Sequence, residues 1–243
     1  MEINQNQIIG ELVAQDYRTA SVFKKYGIDF CCQGNRTIHD ACEKKSMDSK
    51  AVLNDLEKVI KAQGENATDY KSWPIDLLAD YIEKKHHRYV EEKTLEIKPY
   101  LDKICKVHGE RHPELFEIQE QFNASAGELA THMKKEEFIL FPFVRKLEKA
   151  KHDGLKVVAP NFGTVLNPVQ MMMEEHTIEG DRFRKIEELS DNYTPPQDGC
   201  NTYRVTYALL KEFEQDLHLH IHLENNILFP KAIELEKELT SEK

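Results

Sequence analysis

Residues 132–142 read HMKKEEFILFP and residues 220–230 read HIHLENNILFP. Each copy places a histidine, a glutamate four positions later and then Ile-Leu-Phe-Pro, while the residues between differ freely. On an α-helix four positions are about one turn, so His132 and Glu136 project from one face, as do His220 and Glu224. Around His220 the in-phase residues are Leu209, Phe213, Leu217, Ile227 and Leu228, an apolar stripe of the kind that faces a core. The histidine and glutamate therefore interrupt a buried stripe.

The same phase argument sorts the other histidines. His176 shares its face with Val169, Met172, Met173, Phe183 and Ile186 and is expected to point inward. His86 follows Ile75, Leu78 and Ile82, whereas His87 has Glu83 and Glu91 four residues to either side, so His86 is the expected inward member of that pair. His218 and His222 are turned by about 200° from His220 and are expected in solvent. His86 precedes His132 by 46 residues and His176 precedes His220 by 44, so each half supplies a lone histidine and then a His-x-x-x-Glu pair. Each half reads as a helical hairpin.

Helices are predicted near 74–108, 113–149, 167–189 and 201–238. VHGERHP, the Gly- and Pro-containing stretch 151–167, and SDNYTPPQDGCN separate them. No β-type alternation competes, and the fold class is all-α, a four-helix bundle. Pro99, Pro142 and Pro230 predict kinks or frayed ends. Ahead of the bundle, residues 1–61 read as a small separate helical module with IIGELVA and AVLNDLEKVI as its periodic pieces. Residues 62–72 read as a linker, and the bundle domain as 73–243.

Two hairpins brought together place four imidazoles (His86, His132, His176, His220) and two carboxylates (Glu136, Glu224) in a low-dielectric core, where an unpaired carboxylate is costly. A metal resolves that cost. Mixed nitrogen and oxygen donors suit iron or manganese. The doubled pattern suggests two ions, each with two histidines, bridged by the glutamates. A single core histidine is more often a hydrogen-bonding residue than a ligand, but six in-phase polar residues on four apolar faces reverse that preference. Ile-Leu-Phe-Pro itself reads as core packing.

Composition narrows the function. The chain has 243 residues, 40% of them hydrophobic, which is enough for a sizeable core. A net charge of -10 argues against a nucleic-acid binder, whose affinity comes largely from neutralising phosphates, and against an anionic membrane surface. The opening residues lack the basic start and apolar run of a signal peptide, no stretch of about 18 apolar residues occurs, and a cytoplasmic location is expected. Five cysteines without C-x-x-C spacing fit a reducing compartment. The adjacent Cys31 and Cys32 are ill placed to share one metal or to form an unstrained disulfide, which leaves two readings open: a redox or transient iron-handling role, or a buried structural thiol beside a reactive one. Cys42, Cys105 and Cys200 read as incidental.

YGIDFCCQGNRT (26–37), HMKKEEFILFP (132–142), EEHTIEGD (174–181) and HLENNILFP (222–230), in this order and spacing, resemble the RIC family. These are iron-sulfur cluster repair di-iron proteins with a Cys-Cys module before a hemerythrin-like bundle. The resemblance implies two non-haem iron ions with an oxo or hydroxo bridge, and repair of clusters damaged by nitrosative or oxidative stress through supply of iron. It places the iron ligands on His86, His132, Glu136, His176, His220 and Glu224. Glu128, one turn before His132, and Glu175, beside His176, match family positions that would help iron enter or leave; the alternative reading is a hydrogen-bond partner behind a ligand for Glu128 and ordinary surface charge for Glu175. His108 in VHG also fits a family motif, its role as a ligand left open. The expected partners are damaged iron-sulfur proteins as clients and a second copy of the chain through the N-terminal module. A redox enzyme reducing nitric oxide or peroxide, or a dioxygen or nitric oxide sensor, is the alternative reading.

Overall fold

A computed structural model describes residues 3–62 and 68–240. The expected linker at 62–72 falls in part on 63–67, outside the described residues. Among the described residues the N-terminal module holds four α-helices, α1 (Ile9–Gln15), α2 (Ala20–Lys25), α3 (Ile38–Lys44) and α4 (Ser49–Lys61), with a short 3-10 turn at Tyr17–Thr19. Thr37 starts α3 with a reciprocal cap, its Oγ1 accepting from the Asp40 N–H at 3.0 Å while Asp40 accepts from the Thr37 N–H.

Four rods form the bundle. The first is α5 (Ile75–Tyr81), a wide turn π1 (Ile82–His87) and α6 (Arg88–His108). The second is α7 (Glu114–Lys135), π2 (Glu136–Leu140) and α8 (Phe141–Asp153), the third is α9 (Leu166–Leu189), and the fourth is α10 (Asn201–Leu223), π3 (Glu224–Leu228) and α11 (Phe229–Thr240). α6 lies between α10 and α7, and α7 packs on α9. Gly154, with φ of +66°, ends α8 in the left-handed conformation that glycine adopts without a Cβ penalty.

The prolines do not fray the rods. The helix runs on through Pro99. π2 and π3 each end two residues before a proline, and a proline ring crowds the carbonyl four residues back. Those carbonyls, of Phe138 and Asn226, lie inside the wide turns, which loosen the helix where the clash would fall.

Apolar side chains divide into two clusters along the bundle axis. One contains Val90, Ile97, Phe122, Leu129, Phe183 and Phe213, and the other Ile82, Phe141, Val144, Val169, Leu228 and Phe229. A polar layer from π1, the end of α7, the middle of α9 and the end of α10 lies between them. The module, separate in sequence, shares the first cluster through Phe23, Phe30 and Cys31. It seats against α10 and π3, where Gly10 is needed: a Cβ there would stand 2.2 Å from Asn226 Oδ1. Lys24 to Glu214 (2.7 Å) and Arg184 to Asp29 (3.0 Å) pin the edges of the seat.

Candidate metal centre

Two groups of donors converge in the polar layer. His87, Glu136, His220 and Glu224 form one, and His132, Glu136, His176 and Glu224 the other, each with its donor atoms within 4.8 Å of one another. Glu136 and Glu224 belong to both. Glu136 Oε2 lies 3.3 Å from His87 Nε2 and 3.4 Å from His132 Nε2. Glu224 does the same for the other hairpin, with His176 Nε2 at 3.2 Å from Oε2 and His220 Nε2 at 3.2 Å from Oε1. All six residues are buried.

His86 is not in this set, which corrects the phase argument. Both His86 and His87 are buried, but His87 carries the donor that reaches Glu136, while His86 Nδ1 bonds Asp216 at 3.0 Å and its ring stacks on His220. The reason is π1. A π turn closes i to i+5 rather than i to i+4, so the residue above Ile82 is five positions on, His87, and not four, His86. His218 and His222 are not in solvent either. The module covers their face, with Tyr17 and Phe30 rings packed against His222 and Phe30 against His218.

The rings are held from behind. His87 Nδ1 bonds Glu137 at 3.0 Å, His132 Nδ1 bonds Glu175 at 2.7 Å, and His176 Nδ1 bonds the Asn225 Oδ1 at 2.8 Å. Such contacts fix which nitrogen faces the metal and raise ligand basicity. Phe141 stacks on His87 and Phe229 on His176, so the Leu-Phe of each repeat is packing that backs an imidazole. Glu137 and Asn225 escaped the sequence reading, although both copies place a hydrogen-bonding residue directly after the glutamate.

Imidazoles and carboxylates of the layer share protons. Burial, the largest single influence, disfavours a proton on His176, but the hydrogen bond and charge of Glu224, the charge of Glu136 and the Asn225 hydrogen bond together outweigh it and raise the pKa to about 9. Burial prevails at His220 and lowers it. Burial also opposes the charge on Glu224, yet the imidazoles of His220 and His176 hold this carboxyl well below its usual range. If His176 held a cation it would give up this proton, so uptake would release protons.

Glu175 and Glu128 have different surroundings. Half-buried Glu175 holds His132 and pairs with Lys135, which places its carboxyl, lowered to about 2 chiefly by the His132 hydrogen bond, directly behind a metal-facing imidazole. Exposed Glu128 pairs with Arg182 at 2.5 Å. Both line a cleft of about 340 Å³ between α7 and α9, with Glu179 on its wall and His132 and His176 also lining it.

Cys31 and Cys32 sit where the module meets α9, their sulfurs 3.7 Å apart. Asp29 shapes the loop by accepting from the N–H groups of Cys31 and Cys32 at 3.0 and 2.9 Å. The neighbouring Cys32 sulfur and then burial push the Cys31 thiol well up. Cys32 Sγ donates to the His176 carbonyl at 3.2 Å, and Asn225 Nδ2 donates to the Cys31 carbonyl at 3.2 Å. One amide thus touches both the cysteine loop and His176. His108 lies far along α6 from the layer, beside Cys200.

The donors decide whether a cation fits. Both Glu136 oxygens, Glu224 Oε2 and His87 Nε2 are buried without a well-formed hydrogen bond, a costly state that a coordinated cation relieves. Four imidazole nitrogens and two shared carboxylates suit a borderline transition metal. Fold and site together define a hemerythrin-type cation-binding bundle. Residues 78–232 match the hemerythrin HHE cation binding domain, and residues 5–60 match ScdA_N, a domain of unknown function (DUF542). The chain is 31% identical to the iron-sulfur cluster repair protein ScdA of Staphylococcus haemolyticus, covering 94% of this chain and 99% of that one. It is 32% identical to the iron-sulfur cluster repair protein YtfE of Yersinia pestis, covering 94% and 97%. The chain belongs to this family, the hemerythrin-like iron-sulfur cluster repair proteins.

Proposed function

We propose that the chain is a di-iron protein that repairs iron-sulfur clusters damaged by nitrosative or oxidative stress, by donating iron. The observation that carries this reading is the pair of four-donor groups sharing Glu136 and Glu224. His87 and His220 would hold one iron, His132 and His176 the other, and the two glutamates would bridge them. When bound, the iron supplies the atoms that a damaged cluster has lost.

The chain's own residues set the terms of release. Two carboxylates among four neutral imidazoles give few anionic ligands, which favours lability over permanent retention. The cleft beside His132 and His176, lined by Glu128 and Glu175, offers oxygen donors on a way out. Cys31 and Cys32 lie against His176, where movement of the loop would be felt by that ring through Asn225. Clients, or a second copy of the chain, are read as meeting the N-terminal module. No described helix is long and apolar enough to cross a membrane, in keeping with work in the cytoplasm.

The test is transfer. Iron-loaded protein incubated anaerobically with a cluster-depleted acceptor is expected to lose iron as the acceptor regains its cluster spectrum. Retained iron together with many turnovers of nitric oxide or peroxide under a reductant would overturn donation in favour of a reductase.

A further inference from the structure

His108 and Cys200 lie outside the metal centre, which uses neither. His108 is the last residue of α6 and 4% exposed, whereas Cys200 is the exposed residue that precedes α10. Antiparallel α6 and α10 bring them together, His108 Nε2 standing 3.2 Å from Cys200 Sγ. About 20 residues of each helix separate the pair from His87 and His220, roughly 30 Å along the axes.

A thiol reacts as its thiolate, which is favoured by a neighbouring imidazole and by a helix N-terminus. Cys200 has both, at the start of a 23-residue helix, and it is accessible. The backbone N–H of Tyr203, then that of Thr202, hold its thiol below the ordinary range against burial. The other cysteines differ. Cys31, Cys42 and Cys105 are buried with raised thiols, Cys105 to about 11, and Cys32 is occupied at the His176 carbonyl.

Two other uses of the pair fail. Among the described residues no third ligating atom converges on His108 and Cys200, as a metal would require. His108 Nδ1 has no partner, so the carboxylate that orients the imidazole of a hydrolytic triad is missing. His112 and Arg111 are engaged with Asp198, and Tyr203 packs edge-on against His108, which leaves His108 as the base facing the sulfur.

We propose that Cys200 and His108 form an activated thiol that takes up low-molecular-weight disulfides as a mixed disulfide. His108 Nε2 accepts the thiol proton and Sγ attacks one sulfur of the disulfide. The new S–S bond forms as the old one breaks, and the departing thiolate takes the proton from His108 to leave as a thiol. Cys200 is oxidised, the small disulfide is reduced, and no further reactant is needed.

Cystamine is a suitable probe, since its cationic halves are not repelled by a chain of net charge -10. Intact mass and peptide mapping of the full chain should show the first adduct at Cys200. The rate should reach its midpoint below the pH of about 8.5 expected for an ordinary thiol. Each unit of lowering raises the rate at pH 7 about threefold, because roughly eightfold more thiolate is tempered by its weaker nucleophilicity. His108→Gln should raise the midpoint and slow Cys200 about threefold or more. A first adduct on another cysteine, or a wild-type midpoint at that of free cysteine, would overturn the proposal without any variant. So would an unchanged rate in folded His108→Gln.

Discussion

Glu224→Gln in the metal-free protein isolates the energetics of the polar layer. The change keeps the side chain's shape and removes the charge that meets His176 Nε2 at 3.2 Å and His220 Nε2 at 3.2 Å. The gap between the ordinary 6.5 of histidine and about 9 for His176, at about 1.36 kcal/mol per pH unit, sets a ceiling of about 3 kcal/mol on the stability drawn from this pair. His176 has its pKa raised by folding, so the contribution is fully present below pH 6.5 and is lost as pH rises through 9. Wild type, freed of metal with a chelator, should lose up to about 3 kcal/mol across that window. The variant leaves the buried His176 with Glu136 as its remaining anion, so its decline across that window should be clearly smaller than that of wild type. Denaturant unfolding at a series of pH values measures both curves. Parallel curves with a constant offset, or a wild type flat between pH 6.5 and 9, would refute the ion-pair account.

Other expectations concern single positions. His87→Ala should lose metal while His86→Ala keeps its full complement, because only His87 Nε2 meets Glu136; elemental analysis of both variants decides it. Asn225→Leu leaves His176 Nδ1 unpartnered and should weaken metal binding about 10- to 100-fold in a chelator competition. Gly10→Ala drives a Cβ into the Asn226 side chain and should destabilise the chain by about 1–3 kcal/mol in a denaturant melt, the loss concentrated where the module seats.

Much of this architecture is written in local periodicity. His132, His176 and His220 were legible because each lies inside an unbroken α-helix whose apolar neighbours fix the phase, and Glu136 and Glu224 follow one turn on, at the first residue of π2 and π3, before the wide turn shifts the register. His87 was not, because π1 adds a residue to one turn, and the stretch IEKKHH carries no proline to announce it. The burial of His222 and the partial cover of His218 depend on a module docked from far along the chain, which no periodicity within α10 records. Glu175 and Asn225 show the same limit, since their partners are histidines on other rods. The wide turns at π2 and π3 stand close to a visible cause, the Phe-Pro that follows each.

The central claim is that Glu136 and Glu224 serve two metal positions at once. Anaerobic titration of the metal-free full chain with ferrous iron, read by retained iron after desalting, tests it most directly. The account predicts two irons per chain, with Glu136→Gln or Glu224→Gln reducing occupancy of both positions together. One iron per chain, or two irons retained in both variants, would contradict it.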